Sequence, residues 1–220
     1  MTVKLLAIGD LGAAPSYPAH AADRDELTLI GVARSVSRDQ AVFAEGAAAE
    51  IVYKVVSGAV RTVRLLADGR RQITGFHLPG DVFGVEAAPV HGATAEAICE
   101  TVLISARRAS LTEDHERSGR LVRHTLNELR RSQDHLLTLG RRTAIERVAS
   151  FLADLADRNP GAGDLVALPM SRQDIADYLG LTIETVSRTL TQMQARGLVR
   201  LNGCRQVRLP RRAALLALCE

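Results

Sequence analysis

The chain has 220 residues, 28 lysines and arginines against 25 acids, a net charge of +3 and 46% hydrophobic residues. That length suits two modest domains, and a charge so mild does not select a partner by itself. No run approaches the roughly 18 apolar residues needed to cross a bilayer, and the N-terminus lacks a basic stretch followed by an apolar core, so a cytoplasmic protein without a membrane partner is expected. Cys99, Cys204 and Cys219 are far apart and form no C-x-x-C pair, which argues against a disulfide framework or a zinc site. Gly80-Asp81 is not followed by G-K-[ST], and no Ser/His/Asp set or metal cluster is evident. Neither an enzyme nor a bound cofactor or metal is expected.

The charge is unevenly placed. Between Leu165 and Arg212 eight arginines oppose only Asp174, Asp177 and Glu184, whereas residues 1–140 carry a net −1. A local basic excess of this kind suits a phosphate backbone, and a solvated basic face has the same composition.

Residues 1–24, rich in Ala and Pro, are predicted to be loosely ordered. From about 25 to 112 the chain reads as short strands punctuated at Gly46, Gly58, Gly69 and Gly80, which predicts an antiparallel roll or sandwich. Asp68-Gly69, between the alternating runs Val60–Arg64 and Gln72–Phe76, predicts a two-residue type I′ hairpin turn. Cys99 lies in a mostly apolar run and reads as a small buried hydrophobe. His77 and His91, each single in its region, read as surface loop or strand histidines.

From 113 to 139 the period changes. Val122, Leu129 and Leu136 recur every seven residues, with Leu126 between and Leu139 beyond. A stripe this narrow, flanked by charges, predicts pairing with the same helix of a second chain. The alternative is a helix lying on the β-domain, and Gln133 at an otherwise apolar heptad position keeps it open. Gly140 is predicted to break the helix. An amphipathic helix follows, with Ile145, Val148, Phe151, Leu152 and Leu155 on one face, ended by Asn159-Pro160-Gly161.

The stretch "SRQDIADYLGLTIETVSRTLTQM" (171–193) carries two helical patterns close together. Ser171 and Thr182 each place a hydroxyl where a helix start leaves N–H groups unpaired. Ala176 and Gly180 permit close helix approach and a left-handed turn, and Ile175, Leu179, Leu181, Val186 and Leu190 form a shared inner face. Glu184, Ser187 and Arg188 remain outward on the second helix at i, i+3 and i+4. Arg reads guanine through two bonds and Glu accepts from cytosine, so these three are the candidate base-reading residues. Read as structure alone, Glu184 and Arg188 are a surface ion pair. Downstream, "GLVRLNGCRQVRLP" predicts a second hairpin turning at Asn202-Gly203, with an arginine-rich outer face. Ser171, Arg172, Thr182, Thr185, Arg205 and Arg208 are the candidate DNA-backbone contacts. Cys204, in the turn, is the candidate redox residue, with Cys99 as its alternative.

Three segments, "GAVRTVRLLADGRRQITGFHLPGDVFG" (58–84), "LGRRTAIERVASFLADL" (139–155) and "LPMSRQDIADYLGLTIETVSRTL" (168–190), resemble the CRP/FNR family of bacterial transcription regulators, most closely its FixK-like branch. The resemblance spans about residue 27 to the end. It implies an α+β fold: an N-terminal antiparallel β-roll, which is a jelly roll of the cyclic-nucleotide-binding type, then a long dimerisation helix and a C-terminal winged helix-turn-helix. It also implies a homodimeric activator that contacts RNA polymerase, binds double-stranded DNA at a TTGA-N-TCAA palindromic operator through Glu184, Ser187 and Arg188, and controls low-oxygen respiration, nitrogen fixation or denitrification genes. Ile183 stands where cyclic-AMP-type members have a second arginine. Residues 1–98 hold no cysteine, unlike the cluster-bearing FNR type. The segment 83–97 lacks the Arg-Ser pair that meets a cyclic-nucleotide phosphate, so the nucleotide pocket is expected to be vestigial. The expected organisation is 1–24 N-terminal segment, 25–112 β-roll, 113–139 dimerisation helix through Val122, Leu126, Leu129 and Leu136, and 140–220 DNA-binding domain. The rival is a regulator whose β-roll binds an effector, or whose Cys204 or Cys99 is a switch.

Overall fold

A computed structural model describes residues 31–112, 115–159 and 163–219; the expected N-terminal segment, and Pro160-Gly161 of the expected helix stop, lie outside the described residues. Strands β1 (Val32–Val36), β2 (Ala41–Phe43), β3 (Ile51–Ser57), β4 (Val60–Leu65), β5 (Arg71–His77), β6 (Val82–Phe83), β7 (Thr94–Ala97) and β8 (Thr101–Arg107) come first. They pair antiparallel into two four-stranded sheets, ordered β1-β8-β3-β6 and β2-β7-β4-β5. Inward residues of both sheets, including Val36, Val42, Val55, Val60, Phe83 and Leu103, bury the core between them. This is the expected β-roll.

The chain changes sheet at Gly58, between β3 and β4. Its φ is +86°, and a Cβ there would lie 2.5 Å from the Glu100 carbonyl oxygen, so the crossing requires glycine twice over. At the β4–β5 hairpin the expected turn type is corrected. Leu66 and Arg70 are joined by a backbone hydrogen bond, and Gly69 N–H closes back on the Leu66 carbonyl, leaving Ala67-Asp68-Gly69 as a three-residue loop. Only Gly69 takes positive φ, whereas a type I′ turn needs it at both central residues.

Helix α1 (Arg108–Thr112) leads into α2 (His115–Arg141) and α3 (Ala144–Asp157). Contrary to expectation, α2 runs through Gly140. The break falls at Arg142-Thr143, because Thr143 is extended (φ −66°, ψ 166°) and its N–H donates to the Glu146 carboxylate at 2.8 Å, which starts α3. Val122, Leu126, Leu129, Leu136 and Leu137 are 54–67% exposed. Leu139, expected on that stripe, is half-buried instead, and Leu137 continues the exposed apolar surface.

The C-terminal part holds β9 (Leu165–Ala167), α4 (Arg172–Leu179), α5 (Ile183–Ala195), β10 (Arg200–Asn202), β11 (Gln206–Arg208) and α6 (Arg212–Leu216). The small sheet is ordered β10-β11-β9. Its hairpin also differs from expectation: Asn202 pairs with Gln206, so it belongs to β10 and Gly203-Cys204-Arg205 forms the loop. One apolar cluster joins the two halves, running from Val63, Ile73 and Phe76 of the roll through Phe151 and Leu152 to Ile175, Leu190 and Val207.

The expectation of a surface histidine is corrected at His91, whereas His77 is a half-buried strand residue. His91 is 2% exposed, with its ring stacked on Phe43 at 3.6 Å. His77, on β5, stacks on Phe83 at 4.8 Å, and burial pushes its imidazole down to about 4. Cys99 is half-buried against the joint apolar cluster, and Cys204 is exposed.

Candidate nucleic-acid interface

Helix α4 starts where Ser171 Oγ accepts the Asp174 N–H at 3.0 Å, while the Asp174 carboxylate accepts the Ser171 N–H at 3.0 Å and its hydroxyl at 2.8 Å. Each group satisfies the other's unpaired donor at a helix start. The helix ends at Gly180, which adopts the left-handed conformation (φ 61°, ψ 41°). Leu181 N–H then closes back on the Ala176 carbonyl. Thr182 Oγ1 accepts the Thr185 N–H at 3.2 Å and starts α5. The two caps and the glycine turn hold the helices at a fixed angle, and buried Ile175, Ala176, Leu179, Val186, Leu190 and Met193 lie on the faces turned inward.

Arg147 of α3 reinforces the turn. Its guanidinium donates to the Leu179 carbonyl at 3.0 Å, the Leu139 carbonyl at 2.8 Å and the Arg142 carbonyl at 2.9 Å. It thus ties the end of α2, the start of α3 and the turn between α4 and α5. Sequence reasoning missed this residue, since nothing in a one-dimensional pattern marks a cation that caps carbonyls from three elements.

Opposite the buried face of α5, Glu184, Ser187 and Arg188 are exposed together near the helix start. The Glu184 carboxyl is held below the ordinary carboxylate range, first by the N–H at its own helix start, then by the Thr182 hydroxyl, and least by Arg188. Among the described residues Glu184 and Arg188 do not form an ion pair, so neither side chain is committed to the other. Arg200 lies across from Arg208 on the wing hairpin, and both are exposed.

The candidate backbone contacts differ in how free they are. The Ser171 and Thr182 hydroxyls serve their caps, and Thr185 Oγ1 lies 3.1 Å from Thr182 Oγ1. Arg205 is exposed and donates to the Pro169 carbonyl at 3.2 Å; Arg208 is exposed and lies 3.4 Å from Asp164. Arg172 is half-buried with Nη1 enclosed and unpartnered, and burial lowers its guanidinium while Cys204 nearby opposes that.

In the β-roll, Glu86 Oε1 accepts the Gly92 N–H at 3.2 Å and lies 3.7 Å from His91 Nδ1, while the Glu86 carbonyl accepts from Arg108 at 2.8 Å. A carboxylate of the chain itself therefore occupies the Gly92 N–H within the segment 83–97. Among the described residues no three His, Cys, Asp or Glu side chains converge as a metal site, and no helix is long and apolar enough to cross a membrane.

A capped two-helix unit with an exposed polar face, a basic hairpin beside it and a double-sheet roll before it define a winged helix-turn-helix regulator with a cyclic-nucleotide-binding-type domain. Residues 146–218 match the Crp-like helix-turn-helix domain and residues 33–117 the cyclic nucleotide-binding domain. The nitrogen fixation regulation protein FixK of Rhizobium meliloti is 49% identical over 179 residues, covering 81% of this chain and 83% of its own. FixK of Azorhizobium caulinodans is 47% identical over 197 residues, covering 86% and 79%. The solved structure of FixK2 from Bradyrhizobium japonicum superposes with a TM-score of 0.83 at 47% identity, covering 87% of this chain and 98% of that one. The chain belongs to the CRP/FNR family of transcription regulators, in its FixK-like branch.

Proposed function

We propose that two copies of the chain pair along α2 and bind a TTGA-N-TCAA palindrome, each inserting α5 into the major groove so that Glu184, Ser187 and Arg188 read base edges. The observation that carries this reading is the joint exposure of those three side chains on a helix whose other face is locked into the core. The wing, through Arg205 and Arg208, and the α4 start, through Ser171 and Arg172, lie against the phosphates. Bound there, the dimer activates transcription by contacting RNA polymerase. Its targets are low-oxygen respiration, nitrogen fixation or denitrification genes, and the names of the relatives support nitrogen fixation among them.

This regulator binds DNA without a small effector. An anionic phosphodiester placed at the Gly92 N–H meets the Glu86 carboxylate already there, and two like charges at that distance repel. The test measures affinity for a TTGA-N-TCAA duplex in air, then with cyclic AMP, cyclic GMP, haem, or anaerobic iron plus sulfide. Affinity unaltered by all of them is expected. A tenfold gain from any one, about 1.4 kcal/mol of coupling, would favour an effector-sensing roll.

A second reading concerns Cys204, which is exposed in the wing loop with Arg172 close by. Oxidation to a bulky, charged sulfur there is expected to obstruct docking. Peroxide should therefore weaken operator binding of the parent and spare Cys204→Ser. Equal loss in both would exclude this residue.

A further inference from the structure

The first helix of the DNA-binding unit is fastened to the β-roll by a cluster of charges that base reading does not use. Arg61 of β4 donates to Asp174 at 3.2 Å, and Arg71 of β5 reaches Asp174 at 2.8 Å and Asp177 at 2.7 Å. Gln72 donates to the Asp177 carbonyl at 2.8 Å. The Asp174 side chain is only 3% exposed, and it is the same carboxylate that caps α4. Glu96 and Asp39 face Arg61 from the roll side. Tyr178, one turn further along α4, sits between Phe76 of the roll, Phe151 of α3 and His135 of α2, whose ring stacks on it at 4.0 Å.

We propose that Arg61 and Arg71 are positioning residues for DNA binding: by holding Asp174 and Asp177, they set the direction in which α4, and through the Gly180 turn α5, projects from the roll and from α2. The inference rests on the DNA-binding reading above. A buried carboxylate deprived of its cations is strongly destabilised, so the joint is either made or broken rather than gradually loosened. In the made state the face carrying Glu184, Ser187 and Arg188 is uncovered, so this is the state that meets DNA. Breaking the joint lets α4 sample other orientations and lowers apparent affinity by the fraction of time spent in the competent one. The direction of α5 also fixes the separation of two recognition helices in a dimer, so loss of the joint acts on every duplex alike.

The test compares the full-length parent with Arg61→Gln/Arg71→Gln and with Arg61→Lys/Arg71→Lys, which keeps both cations. The glutamine variant should bind operator and unrelated duplex each about tenfold more weakly, as expected if the competent fraction falls to about one in ten. Its salt dependence should be unchanged, because every cation that meets a phosphate is still in place. The lysine variant should retain most of the affinity. In the free protein, hydrogen exchange should show reduced protection in β5 and α4 but not in β10–β11. Should the double variant fail to fold, Arg71→Gln alone, at a side chain 30% exposed, is read by the same measurements. In the glutamine variant unchanged or tighter binding, a reduced salt slope or unchanged exchange in α4, or in the lysine variant an equally large loss of affinity, would each overturn the proposal. A parent that binds no duplex would instead overturn the DNA reading, leaving hydrogen exchange to judge the joint.

Discussion

Leu129→Glu/Leu136→Glu should convert the protein from dimer to monomer and remove nearly all operator binding. Five apolar side chains, Val122, Leu126, Leu129, Leu136 and Leu137, stand more than half exposed along one helix. An exposed apolar strip of that kind, interrupted only at Gln133, marks an interface. Burying the exposed parts of two leucines from each of two chains contributes about 4 kcal/mol, a factor of about 1,000 in the dimer constant. The glutamates also place like charges across the seam. Operator affinity falls with dimerisation, since one protomer holds only a half-site. Sedimentation equilibrium checks the first effect and a duplex titration the second. An unchanged dimer would move the interface off α2.

The second large effect is expected at Arg188. Arg188→Ala should cost about 1–3 kcal/mol for each half-site and abolish the preference for guanine there, because the two-bond contact to guanine is what distinguishes that base. The variant should fold normally, since Arg188 is exposed and packs on nothing in the core. Arg205→Ala and Arg208→Ala are expected to behave differently. They should weaken all sequences to the same degree and lower the salt slope by about one for each phosphate left without its arginine.

Much of the fold is legible in the sequence because its signals are local. Period-two runs separated by glycines identify the roll, and Ser171, Gly180 and Thr182 mark the two helix starts and the turn between them, where the structure has them. The differences share a cause. Dipeptide preference predicts a two-residue turn at Asp68-Gly69 and places Asn202-Gly203 in the second turn, but cross-strand register decides the loops, makes both three residues long and puts Asn202 in β10. Propensity predicts a helix break at Gly140, although a single glycine is tolerated within a helix, and the break goes to the residue with extended backbone, Thr143. His91 reads as a surface residue for want of any local sign that Phe43 covers it.

At the candidate site, the outward triplet on α5 follows from helical spacing alone. Asp174 and Asp177 count in the sequence merely as acids within a basic segment. Their cations lie more than 100 residues away in β4 and β5, and no periodicity relates residues at that separation. The Ser171/Asp174 spacing does carry the helix-start signal for one half of Asp174's role. The other half appears only once the two domains are brought together.

Selection of binding sites from random duplex DNA, run in parallel with the parent and Arg188→Ala and with no ligand added, tests whether a symmetric pair of α5 helices reads DNA. The parent should enrich a TTGA-N-TCAA palindrome in which the spacer N sets the half-site centres about one helical turn, roughly 34 Å, apart, and Arg188→Ala should return the same symmetry with the guanine position degenerate. Enrichment of an asymmetric site by the parent, or an unaltered guanine preference in Arg188→Ala, would contradict it.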